Sequence, residues 1–374
     1  MSKKSQIFSP GVAIMMVVSL TLAACGGGGD TTGDTTGDTS GDTNASPTNT
    51  IAPTATLPIN TAVYPLTGLP RPEMDISVLT RPALVAKIDN HPLGRPQTGL
   101  NKADIVFEEN VEGLTRFAAV FHSQGSDPVG PLRSGRTQDV DILSAYNKPL
   151  FMWSGGNGGV TQAINKSDLV NVGYLTSIGQ GKYFRDKTYR APHNLYSRTT
   201  DIWKLAPKTA VAPPQQFVYR TPSDATPATS LPAIGVKVKM DGVKVYWQWD
   251  PATRTYLRNS ENTKRILEKE KDKDATIINA TNVVILVVKY IRSKADPRSP
   301  EAQTIGTGNV VVLTNGEAIR GRWARSERTR SFVLTDAAGA VIKLTPGRTW
   351  VELARWKTTA VVPFGTDPAK VLWP

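Results

Sequence analysis

From Val63 onward the chain alternates short apolar runs with turn residues, and few runs carry helical spacing. Apolar and polar residues alternate over 236–240, Asp241-Gly242 turns the chain, and 243–249 alternates back; this pattern predicts a β-hairpin. Residues 283–288 are a continuous apolar run of strand length, expected as a central strand because a membrane-spanning helix needs roughly 20 residues. Further strands are expected at 310–313, before the turn pair Asn315-Gly316, at 331–334 and 340–344 around Ala338-Gly339, and at 349–353. In the first half, 83–88, 103–108, 116–121 and 150–153 read as strands, while 137–145 and a segment opening at Val160 read as helices. Residues 265–273 are highly charged and read as a loop or short helix. Prolines cluster over 206–233, where only 215–220 reads as a strand. The expected fold class is α+β: a mixed α/β N-terminal domain at 63–205, a Pro-rich linker at 206–233, and a mainly antiparallel β C-terminal domain at 234–374.

The first 62 residues follow other rules. Lys3 and Lys4 precede the apolar run 12–20, and Leu22-Ala23-Ala24 leads into Cys25, the single cysteine of the chain. This is the layout of an export signal over 1–24, and a Cys at the cleavage point resembles the lipobox of bacterial lipoproteins. The resemblance implies removal of the signal, lipidation of the Cys25 sulfur and acylation of the new amino terminus; more than one acyl chain gives stable anchoring. An uncleaved anchor fits less well, because the run is short and Pro10-Gly11 opens it. Residues 25–62 are mostly Gly, Thr, Asp, Ser, Asn and Pro with almost nothing to bury, so they read as a disordered tether. As a flexible coil it would span roughly 35 Å. The chain is expected at the extracytoplasmic face of a bacterial membrane, and with one cysteine it builds no intramolecular disulfide.

Separating the segments changes the charge. The whole chain is formally +12; without the two signal lysines and the tether's Asp30, Asp34, Asp38 and Asp42, the body stands near +14. A basic body outside a membrane suits anionic lipids, wall polymers or glycans, and the same charge also serves plain solubility. No zinc-finger spacing, RNP-like stretch or heptad-plus-basic helix is present, so sequence-specific nucleic-acid binding is not expected.

Polar residues of the first half are bunched: Asp89-Asn90-His91-Pro92, then Arg95 and Gln97, then Glu108, Glu112 and Arg116, then Gly130-Pro131-Leu132-Arg133-Ser134-Gly135-Arg136, then Arg190-Ala191-Pro192-His193-Asn194-Leu195-Tyr196. In this order they resemble the motifs of the YerB-like lipoproteins, which carry the DUF3048 domain. The likeness covers about 64–205 and continues through Trp249-Asp250-Pro251, Tyr256-Leu257-Arg258, Asn282-Val283-Val284 and Gly347-Arg348-Thr349-Trp350. It implies an envelope lipoprotein with an α+β N-terminal domain and a separate C-terminal domain, and it implies no reaction.

The residues themselves leave alternatives open. A pocket for an anionic or glycan ligand would use the Arg forks of Arg116, Arg133, Arg136 and Arg190, with Arg95, Asp89, Asn90, Gln97, Glu108, Ser134 and Asn194 as polar neighbours and His91 and His193 as proton carriers. The same residues can equally build a structural network, with Asp89 capping a turn and Glu108 pairing with Arg116 across a hairpin. A hydrolase or transferase acting on envelope polymer would take His193 and Asp89 as its acid/base pair. Ser134 or Ser154 could complete a triad, but no Gly-x-Ser-x-Gly elbow presents either. An interaction scaffold for a membrane complex is the third class. The Gly-rich stretch 155–159 lacks a P-loop ending, and no paired-His spacing signals a metal; neither cofactor nor metal is expected. His122 reads as structural. Trp247, Trp249, Trp323, Trp350 and Trp356 are read mainly as core, with sugar stacking as the alternative.

Overall fold

Strands from the two halves of the chain pair with one another. The structure is a computed structural model that describes residues 60–262 and 264–374; the export signal, Cys25 and the tether up to residue 59 lie outside the described residues. The first half supplies β1 (Leu84–Asp89), β2 (Ile105–Asn110), β3 (Thr115–Phe121), β4 (Leu150–Met152), β5 (Val170–Asn171), β6 (Tyr183–Arg185) and β7 (Leu195–Ser197). Its helices are short: α1 (Gln138–Leu143), α2 (Gly158–Asn165) and α3 (Thr199–Trp203). The second half supplies β8 (Ser230–Met240), β9 (Val243–Asp250), β10 (Thr255–Glu261), β11 (Leu267–Lys269), β12 (Asn279–Ala280), β13 (Asn282–Val287) and β14 (Lys289–Arg292). It continues with β15 (Pro300–Gln303), β16 (Gly306–Thr314), β17 (Glu317–Arg325), β18 (Val333–Asp336), β19 (Thr349–Ala354) and β20 (Thr359–Pro363).

The main sheet runs β11-β10-β9-β8-β17-β16-β13-β19-β2-β3-β1-β4-β5. Its centre is the parallel pairing of β19 with both β13 and β2, in which Trp350 lies opposite Val106 and Glu352 opposite Glu108. The stretch 206–233 is tied down at points: Phe217 is buried, Tyr219 donates to the Leu66 carbonyl at 2.5 Å, and β8 begins at Ser230 and pairs with β17, while 207–209 and 221–223 are exposed. The sheet-rich character is as expected. The first half carries less helix than a mixed α/β layer would, because α1 and α3 span only 6 and 5 residues.

Both faces of the sheet are buried. Ala86, Ile88, Val106 and Phe117 pack with Val236, Val238, Trp247 and Tyr256 on one side. Val85, Phe107, Ala118 and Val120 pack with Ile142, Leu143, Val160 and Ile164 on the other. This two-sided burial is why β1, β2 and β13 read as continuous apolar runs. The β8–β9 and β16–β17 hairpins form as expected, the latter through Asn315 and Gly316 at φ 51° and 79°. Residues 215–220 and 340–344 are not strands; a single bridge between Tyr219 and Leu344 joins them. Residues 265–273, expected as loop or helix, contribute β11, paired to β10.

Candidate functional site

Two polar clusters occupy the same end of β1–β3, one on each face of the sheet. Asp89 ends β1, which runs parallel to β4, and β4 runs parallel to β5. The carboxyl ends of parallel strands, where chains turn away from the sheet, are the usual place for a cleft.

On the helix side, the Asp89 carboxylate meets His193 Nδ1 at 2.5 Å and Arg133 Nε at 3.2 Å, and accepts the His91 backbone N–H at 3.0 Å. The His91 ring stacks on His193 with centroids 4.4 Å apart. These rings have complementary roles. Leu93 N–H donates to His91 Nδ1, so a neutral His91 carries its proton on Nε2. With Nδ1–H facing the carboxylate, a neutral His193 presents its Nε2 as an acceptor. Burial, then the neighbouring His193, lowers the His91 pKa, which keeps His91 neutral at pH 7.

Arginines surround this group, and the structure ties most of them down. Arg136 makes a bidentate pair with Glu112 at 2.6 and 2.7 Å and donates to the Gly135 carbonyl. Arg116 donates to the Ser134 carbonyl at 3.0 Å; burial, then Arg136 and Arg133, push its pKa down to about 10. Beneath them Lys87, fully buried, is paired with Glu109 and with Asp139 at 2.7 Å, and burial lowers its pKa to about 8. Arg133 differs. Its side chain is 23% exposed, and among the described residues no acceptor is bonded to its Nη groups. Arg190 is exposed and contributes its carbonyl to the His193 N–H. Asn194 braces the loop by donating to the carbonyls of Asp186 and Tyr189. No hydrogen bond among the described residues joins Ser134 or Ser154 to His193, so no triad is assembled.

The other face is sealed. Arg258, from β10, binds both Glu108 oxygens at 2.9 and 2.8 Å, pairs with Glu270, and lies over Phe117 and Trp350. Glu108 also accepts from Thr115 at 2.7 Å; Asn90 donates to Thr115 at 2.6 Å and accepts from Arg95 at 2.8 Å. Gln97 donates to the Asp89 carbonyl and to Asn90. Glu352, opposite Glu108, accepts from Trp247 Nε1 at 2.8 Å, and burial followed by the Glu108 charge raises its pKa well above the ordinary value. The Glu108–Arg116 pair expected from sequence does not form. The register sets Glu108 against Phe117 and Glu109 against Arg116, on the opposite face. The partner of Glu108 lies 150 residues away in sequence, and local spacing holds no trace of it.

The second half also grips the loops that carry the candidate site. Lys273 N–H donates to the Gln97 carbonyl at 2.7 Å, and its ammonium meets Asp186 at 2.6 Å, holding that carboxyl down to about 2. Asp272 accepts the backbone N–H groups of Gly99 and Asn101. Sequence reading met Arg258 only as part of a family motif, without a role, and missed Glu270, Glu352, Asp272 and Lys273. Among the described residues, no group of three or more His, Cys, Asp or Glu side chains is arranged to hold a metal ion, and no helix is long and apolar enough to cross a membrane.

Fold and cluster together define a sheet-rich protein with a polar site at the carboxyl ends of its parallel strands, framed by residues from both halves. The chain belongs to the DUF3048 family. The N-terminal domain of that protein of unknown function matches residues 66–212, and its C-terminal domain matches 236–351. The chain is 26% identical over 295 residues to YerB of Bacillus subtilis (strain 168), named as a candidate lipoprotein, across 77% of this chain and 85% of that one. The crystal structure of YerB protein from Bacillus subtilis superposes with a TM-score of 0.67 at 23% identity, covering 80% of this chain and 99% of that one; this likeness shows the fold.

Proposed function

We propose that the chain is an envelope lipoprotein, anchored through Cys25, whose Asp89–His193–Arg133 site binds a hydroxylated anion, such as an acidic sugar unit of a wall polymer. The observation that carries the reading is Arg133. In a neighbourhood where Lys87, Arg116 and Arg136 are all committed to protein acceptors, its Nη donors are spare. A guanidinium fork suits a carboxylate or phosphate. Beside it, His193 Nε2 can accept from a ligand hydroxyl and His91 Nε2–H can donate to a ligand oxygen. The lipobox-like sequence and the lipoprotein name of YerB support the anchor.

The test is retention on purified wall polymer. Arg133→Ala should lose retention while lowering stability by no more than about 1 kcal/mol, the scale of a partly exposed ion pair; unchanged retention refutes the site. Cys25→Ser should release the protein from membranes, and a variant that stays bound refutes the anchor. One observation favours a second reading. A carboxylate 2.5 Å from His193 Nδ1 orients the ring as a general base. An envelope-polymer hydrolase or transferase built on this pair would lose all turnover in His193→Ala, and a fully active variant rejects it.

A further inference from the structure

The expected core role of the tryptophans holds for Trp247, Trp323 and Trp350, each no more than 2% exposed. Trp356 is 63% exposed. It stands in the turn between β19 and β20, on one wall of a cleft of about 520 Å³. Val287 and Val311 supply aliphatic lining, and Arg320 and Arg322 of β17, opposite Val311 and Asn309 in register, supply charge. Lys357 stands beside the ring.

Three features separate this cleft from incidental surface. First, its charge is unspent. Neither Arg320 nor Lys357 has an ion-pair or side-chain hydrogen-bond partner among the described residues, and Arg322 has only long contacts of 3.4 Å to Asn309 and Thr307. The one acid of the lining, Asp336, is occupied by the Thr229 hydroxyl at 2.7 Å and by the N–H groups of Ala338 and Ala340. Second, the turn is held from behind. Arg355 binds Asp241 through two hydrogen bonds of 2.6 and 3.1 Å and lies over Tyr290, and Thr358 donates to the Arg355 carbonyl. Third, Lys357 adopts φ 61°, the left-handed region that a side-chain-bearing residue occupies at a cost. A glycine would relieve the turn, and the chain keeps a lysine. A rigid turn thus displays an indole and an ammonium that the fold does not use.

We infer that this cleft is a second binding site, specific for an acidic saccharide. The apolar C–H face of a sugar ring matches the indole and the valine lining, Asn309 and Thr359 can bond hydroxyls, and Arg320, Arg322 and Lys357 face a carboxylate or phosphate. This inference rests on different residues from the Arg133 site, so either can fail alone.

The experiment is calorimetric titration of the full chain in detergent with tetragalacturonate and with neutral maltotetraose, next to flotation with phosphatidylglycerol vesicles. Tetragalacturonate should bind in a salt-weakened manner and maltotetraose much more weakly. Trp356→Ala should weaken tetragalacturonate by about tenfold or more, as loss of a central aromatic anchor does. The double variant Arg320→Gln/Lys357→Gln should weaken it and flatten the salt dependence, whereas Arg133→Ala should not change the Trp356-dependent component. No saturable tetragalacturonate binding, or equal affinity in Trp356→Ala and wild type, overturns the inference. So does vesicle binding that depends on Trp356 in the absence of sugar binding, which would assign the cleft to lipid.

Discussion

The two faces of the sheet at the end of β1–β3 hold similar residues in opposite states. On the β10 side, Arg258 and Glu108 are wholly buried and every strong charge has an opposite charge or a hydrogen bond against it. On the helix side, Asp89 and His193 are nearly buried but Arg133 reaches the surface beside them with its Nη donors unspent. Residue type does not distinguish them, since both are Arg–carboxylate clusters. Access does: Arg258 and Glu108 are fully buried where the two halves of the chain meet, while Arg133 keeps donors at the surface, where a ligand can reach them.

The largest test breaks the closed face. Arg258→Met would strand Glu108 and Glu270 without their cation, and urea unfolding should show a loss of about 3–5 kcal/mol. If the loss is below about 1 kcal/mol, the β10 face is not the joint described. Next is acid lability. Burial, then Arg81, depresses the His122 pKa to about 4, and its Nε2 lies 2.9 Å from the Val78 carbonyl. A depressed histidine contributes stability that is present above its unfolded pKa of about 6.5 and is lost as pH falls through about 4. The midpoint of urea unfolding should therefore drop across that window, and His122→Gln should flatten the drop.

Glu352 works in the opposite direction. Its raised pKa means that its contribution is complete below an unfolded value of about 4.3 and is lost as pH rises through the folded value. Glu352→Gln, which imitates the protonated acid, should gain on wild type as pH rises from 4 to 8, read as the difference in unfolding midpoints. The smallest effect belongs to the grip on the open face. The Lys273 side chain is 40% exposed, so Lys273→Met should change stability by less than about 1 kcal/mol. Loosening the loop that carries His193 should still weaken polymer retention, in the same direction as Arg133→Ala and by less.

What was legible in the sequence divides along physical lines. Hairpins joined by Asp241-Gly242 and Asn315-Gly316, and the buried strands β1, β2, β3 and β13, have local signatures in turn chemistry and apolar runs. The Asp89, His91, Arg133 and His193 grouping was also legible, because Asp89 and His91 close an apolar strand and Arg133 and His193 fall in the polar runs 130–136 and 190–196. The position of β19 was not. Parallel pairing between strands more than 200 residues apart, such as β2 and β19, leaves nothing in local periodicity. The mistaken pairing of Glu108 with Arg116 followed from that silence, and the sequence also held no sign that strands from 63–205 and 234–374 share one sheet. The partners Arg258 and Glu352 lie across the same join. Trp356 was unreadable for another reason: alternation predicts which tryptophans face a core, and it says nothing about one placed in a turn.

The central position of β19 also sets the order in which the molecule can be made. Ribosomes and secretion channels deliver a chain from its amino terminus, so β1–β4 and the β8–β17 strands emerge before residues 349–354 exist outside the machinery. Until then β2 and β13 both present bare edges with apolar side chains on both faces, the condition that invites wrong partners. Closure waits for β19. Nascent chains stalled before Thr349 should therefore depend on holding chaperones, and the emergence of residues 349–354 is the moment at which two sticky half-sheets become one.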